Sequence, residues 1–124
     1  MIYQELKYTL SGKPMVKVGN IFLRGLEKPI ILWLLAHKPR HGYELIVEFG
    51  RLTGRRLKPS IVYPFLHKLE KGGFASAEWV VKGRKRIRHY SLTKRGEDLL
   101  RKVKEIFSKS VKHVLMDLIE KDEK

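Results

Sequence analysis

The sequence predicts a mainly α fold carrying one small β-hairpin and ending in a long helix. Two observations predict it. Apolar residues recur at helical spacing through most of the chain, and that period switches to alternation only between residues 75 and 92. At 124 residues, with 43% hydrophobic content and no cysteine, the chain can build one core without disulfides or thiolate metal sites. A third observation bears on its partners. Lys and Arg number 27 against 13 Asp and Glu, a net charge of +14 that attracts polyanions.

The elements follow in order. Residues 1–22 read as an N-terminal arm, because Gly12, Pro14 and Gly19 interrupt short apolar pieces. From Pro29 the run Ile30 to Ala36, with Trp33 inside it, is apolar nearly all round and is stopped by Pro39. It is expected to be a buried helix, with Trp33 as core. Tyr43 to Leu52 form a second helix, and Gly54 can end it in a left-handed conformation. In a third helix, Val62, Phe65, Leu66 and Leu69 make one apolar stripe; Ser60 is expected to cap it and Gly72 and Gly73 to end it. Ala75, Ala77, Trp79 and Val81 then alternate with Ser76, Glu78, Val80 and Lys82, and β-formers resume from Ile87 to Leu92. A two-stranded ribbon results, with Trp79 on its inward side. Thr93 caps the last helix, whose apolar stripe is too long to be covered by so small a domain.

Charge is uneven along these elements. Lys82 to Arg95 holds seven basic residues and no acidic one, whereas Arg101 to Lys124 holds seven basic against five acidic. Around the third helix the side opposite the stripe carries Ser60, Pro64, His67 and Lys71, flanked by Tyr63 and Lys68, and is basic and short of acid. Three helices followed by a basic hairpin is the order of a winged helix-turn-helix, in which the third helix enters the DNA major groove. The candidate DNA-binding residues are therefore Lys58, Ser60, Tyr63, Pro64, His67, Lys68 and Lys71 on or before the third helix and Tyr43 on the second. On the wing they are Lys82, Arg84, Lys85, Arg86 and Arg88. Leu100, Val103, Phe107, Val111, Val114 and Leu118 are the candidate dimerisation residues of the last helix.

Leu26 to Ala36, His41-Gly42-Tyr43-Glu44-Leu45, Thr53-Gly54 with Leu57, Pro59 to Pro64 with Leu66, Leu69-Glu70 and Gly73, and Arg88 to Thr93 with Gly96 resemble the PadR family of transcriptional regulators. The resemblance covers about residues 23 to 100. It implies a winged helix domain over residues 23–92, dimerisation through residues 93–124 and a repressor often relieved by a small molecule. Ile61 stands where that family commonly has a small hydroxyl residue.

Other chemistries find little support. His37 and His41 have the i, i+4 spacing of a zinc pair, but Pro39 between them breaks the helical register, so no metal is expected there and no cofactor. No nucleophile triad, paired-carboxylate site, P-loop or dinucleotide fingerprint stands out, which argues against an enzyme. With no secretion-signal pattern at its start and no membrane-spanning run, the protein is expected in the cytoplasm. The leading expectation is a homodimeric, sequence-specific regulator of double-stranded DNA. A sequence-independent architectural DNA-binding protein and a small-molecule sensor with secondary DNA affinity remain open beside it.

Overall fold

The computed structural model describes the backbone of residues 15–121 and the side chains of residues 24–109 and 111–120; most of the expected N-terminal arm lies outside this range. The elements are α1 (Met15–His37), α2 (Gly42–Thr53), α3 (Pro59–Lys71), β1 (Ala75–Lys82), β2 (Lys85–Leu92), α4 (Lys94–Glu105), a π-helical turn (Ile106–Val111) and α5 (Lys112–Lys121). The fold is the mainly helical one expected, with one two-stranded antiparallel hairpin.

One core holds it together. Ile31, Leu32, Leu34 and Leu35 of α1 pack with Leu45, Ile46 and Phe49 of α2 and with Val62, Leu66 and Leu69 of α3. Leu57 from the α2–α3 loop, Ala75 and Tyr90 from the hairpin and Leu100 from α4 close it. Burying each of these large side chains contributes about 1.5–3 kcal/mol. A buried ion pair sits at the edge of this core: Glu27 of α1, only 5% exposed, meets Arg55 after α2 at 3.2 Å.

The caps explain where the helices begin and end. Gly54, at φ 75°, ends α2 in the left-handed conformation expected of it. His41 opens α2 with a reciprocal cap: its Nδ1 accepts from the Glu44 N–H at 3.2 Å, and the Glu44 carboxylate accepts from the His41 N–H at 3.1 Å. Thr93 caps α4 as expected, accepting from the Gly96 N–H at 3.2 Å while donating to the Gly73 carbonyl at 2.6 Å.

Four local expectations are corrected. Pro29 does not open α1 but lies inside it, and Gly19 is helical too. Helix α3 opens at Pro59 after Lys58, so Ser60 is inside the first turn and caps nothing; proline at the first position has its φ already set for a helix. Trp33 is 39% exposed, because Ile31, Leu32, Leu34 and Leu35 take the core-facing positions and leave the indole edge-on to His37. Trp79 is 53% exposed, since the outer half of the ribbon extends past the helices and has no layer to pack on.

Candidate nucleic-acid interface

Two backbone hydrogen bonds weld the wing to the helical body. Arg40 N–H donates to the Tyr90 carbonyl at 3.0 Å and Tyr90 N–H to the Arg40 carbonyl at 2.8 Å, so Arg40, two residues before α2, acts as a one-residue third strand beside β2. The ribbon pairs in register from Ala75 with Leu92 to Lys82 with Lys85, and Gly83, at φ 62°, turns the tip in two residues. This places the basic tip beside α3. Between them lies a groove of about 530 Å³ lined by His41, Tyr43, Tyr63, His67, Arg86 and Arg88 among others.

Lys58, Ser60, Tyr63, Pro64, His67, Lys68 and Lys71 are all exposed along one side of α3, while Val62, Leu66 and Leu69 are buried on the other. Tyr43, 59% exposed on α2, borders the same groove. Gly42 lets α2 and α3 approach closely, because a Cβ there would sit 2.3 Å from Tyr63 Cε1. Lys82, Arg84, Lys85 and Arg86 are exposed at the tip of the wing.

Arg88 differs from its neighbours. Its guanidinium pairs with the Glu70 carboxylate on α3, which raises its pKa through the side-chain hydrogen bond, and it lies over the Trp79 ring at 5.2 Å and the Tyr90 ring at 5.9 Å. Arg86 stacks on Trp79 at 4.7 Å. This chain of contacts is not legible in the sequence, because it joins β2 to residues on two other elements, with Glu70 of α3 18 positions from Arg88. Burial lowers the pKa of His41, with His89 and Lys82 adding to the effect and Glu44 opposing it. The Glu44 carboxyl is pushed up by burial, yet the His41 N–H, His41, His89 and Lys38 together hold it below its usual value.

The dimerisation candidates divide in two. Leu100 belongs to the core of its own chain at 7% exposure, and Val103, Phe107 and Val111 are half-buried. Val114 and Leu118 are exposed on α5, as are Leu115, Met116 and Ile119, with Ile106 exposed at the π-helical turn. Among the described residues no helix is long and apolar enough to cross a membrane.

Residues 31–102 match the model of the transcriptional regulator PadR-like family, more than half of the chain. The chain belongs to that family. Its members are transcriptional regulators rather than enzymes. Among solved structures, a PadR family transcriptional regulator from Eggerthella lenta is 26% identical with a TM-score of 0.62, over 84% of this chain and 89% of that one. A transcriptional regulator from Clostridium thermocellum is 25% identical with a TM-score of 0.67, over 77% and 95%. Bacillus subtilis PadR in complex with operator DNA is 31% identical with a TM-score of 0.57, over 64% of this chain and 45% of that one. No curated protein sequence matches the chain significantly. The fold is thus the winged helix fold that the sequence suggested, in a PadR-like regulator.

Proposed function

We propose that this PadR-like regulator is a homodimeric repressor that sets α3 in the major groove of its operator and lays the wing on the flanking phosphates. The observation that carries the reading is the shared exposure of the basic side of α3 and the cationic wing tip on either side of one groove. Lys and Arg at such positions neutralise phosphates and release counterions, while short polar groups on a helix can reach base edges. The operator complex of Bacillus subtilis PadR supports DNA as the partner. In this reading Ser60, Tyr63 and His67 select sequence, Lys58, Lys68 and Lys71 contact phosphates beside them, and Pro64 and Tyr43 complete the contact surface.

Dimerisation is supported by the apolar face of α5, where Val114, Leu115, Met116, Leu118 and Ile119 are all exposed. A closed dimer buries such a face twice and spaces two α3 helices roughly 34–36 Å apart, one turn of DNA.

The test is operator binding across a salt series, with the operator found by selection from random DNA. Replacing Arg84, Lys85 and Arg86 together should weaken binding to every sequence and flatten the slope of log K against log salt by about 0.9 per lost contact. An unchanged slope would remove the wing from the interface. Preference over random DNA by a factor of about a thousand or more is expected of a regulator, whereas equal binding would favour the architectural reading.

A further inference from the structure

A second cluster lies where the wing joins α2. His41, Glu44 and His89 bring one ligand atom each to within 4.8 Å of one another, all three half-buried. His41 Nε2 is 3.3 Å from Glu44 Oε1. The His41 and His89 rings meet edge-on at 69°, with centroids 5.3 Å apart. His89 Nε2 is buried and has no hydrogen-bond partner, an unusual state for a polar atom in a folded protein.

We propose that His41, Glu44 and His89 bind one divalent transition ion of the zinc class, joining the start of α2 to strand β2 of the wing. Two imidazoles and one carboxylate, with a fourth position left to water, are a donor set that zinc accepts. Bonds of about 2.1 Å in tetrahedral geometry place ligand atoms about 3.4 Å apart. The His41–Glu44 edge already has that length, and the remaining edges reach it by small side-chain rotations.

The backbone holds the ligands together before any ion arrives. Arg40 and Tyr90 are bridged by two hydrogen bonds, so His41 and His89, the next residue on each strand, are fixed as neighbours. The cap hydrogen bond to His41 Nδ1 leaves Nε2 turned to the cluster. Coordination through Nε2 moves the ring proton to Nδ1, which then cannot accept from the Glu44 N–H. The ion thereby replaces the cap as the tie at the start of α2. Lys38 and Lys82 are close enough to act on Glu44 and His41 respectively, and they oppose a dication there, which favours a site weaker than a structural zinc.

The experiment uses the full chain stripped with chelator and titrated with zinc by calorimetry and with cobalt by visible absorption. The expected result is one ion per chain, tetrahedral cobalt bands and a melting temperature that rises with free zinc. His89→Gln should weaken zinc binding by about tenfold or more, since even an outer-shell partner is worth roughly 10–100-fold. Its metal-free melting should stay near that of the parent. Glu44→Gln, which keeps an oxygen for the helix cap, should weaken binding similarly. His37→Gln and His113→Gln should bind as the parent does. Absence of saturable binding would overturn the proposal. So would an affinity equal to the parent's in both His89→Gln and Glu44→Gln, or loss of binding in His37→Gln or His113→Gln.

Discussion

Replacing Gly96 by alanine tests the packing of α4 against the turn into the wing. Gly96 is the third residue of α4, buried, with its N–H held by the Thr93 hydroxyl. A Cβ built there falls 2.1 Å from the Phe74 carbonyl oxygen and 3.0 Å from Leu92 Cδ2. That carbonyl cannot simply turn aside, because it accepts from the Thr93 N–H at 3.0 Å. Relief of the clash requires α4 to move away by about 1 Å, with overpacking of about 1–3 kcal/mol and a strained or broken hydrogen bond of about 1 kcal/mol. Alanine's better helix propensity returns about 1 kcal/mol. The net expected loss is about 1–3 kcal/mol. Two other glycines calibrate the result. Gly25→Ala meets nothing within 4 Å and should stabilise α1 by about 0.5–1 kcal/mol. Gly42→Ala has the Tyr63 side chain as its nearest neighbour, which is exposed and can swing outward, so it should change stability by less than about 1 kcal/mol while displacing a proposed DNA contact. Urea denaturation followed by circular dichroism, at one fixed protein concentration, reads all three. Gly96→Ala within about 0.5 kcal/mol of the parent would refute the reasoning.

Glu27→Ala takes from Arg55, whose side chain is 11% exposed, the carboxylate 3.2 Å away and should lower stability by about 1–3 kcal/mol in the same assay, whereas a surface control such as Asp98→Ala should stay within about 1 kcal/mol. Arg88→Ala should change the salt slope of DNA binding less than Arg86→Ala does, because Arg88 is already paired with Glu70; equal changes would place both on phosphates. His41, facing Glu44, His89 and Lys82, has its pKa lowered from 6.5, so the folded state holds fewer protons than the unfolded chain. The stability this gives is full above about pH 6.5 and is lost as pH falls through the lower folded value. In chelator, the urea midpoint should therefore fall between about pH 7 and pH 5, and His41→Asn, which can still cap α2, should lose most of that fall. A parallel fall in the variant would assign it to another group.

The sequence carried those parts of the structure that depend on local periodicity. The stripe of Val62, Leu66 and Leu69 is buried and the alternating segment forms a hairpin, because a helix or strand with one apolar face has few other ways to cover it. Thr93 and Gly54 act as expected for the same reason, since a cap needs only its neighbours. Pairings across the chain were invisible. Glu27 with Arg55, Glu70 with Arg88 and His41 with His89 each depend on where α1, α3 or β2 comes to rest, and each residue alone looks like a solvated surface group. The reciprocal cap at His41 is not legible in the sequence because histidine is not a usual capping residue, although Glu44 three positions later is the other half of the pattern. Segment composition points Trp33 to the core and strand parity points Trp79 inward, yet in a domain this small the core faces of α1 and β1 are filled before Trp33 and Trp79 are reached.

The same long-range pairings determine how the wing meets α3. A two-stranded ribbon alone is marginally stable and free to bend, so its angle to a neighbouring helix must be imposed from outside. Three ties impose it. The Arg40–Tyr90 bridge fixes the ribbon to the start of α2, Glu70 draws Arg88 onto α3, and the Thr93 hydroxyl joins the end of the ribbon to the Gly73 turn. Trp79 extends the second tie outward, since Arg88 and Arg86 both stack on its ring, and Arg86 is thereby held toward the groove that α3 also faces. In the proposed reading Arg88 is then a strut and Arg86 the phosphate contact, although the two have the same side chain and stand two residues apart on one strand. An ion on His41, Glu44 and His89 would add a fourth tie beside the first.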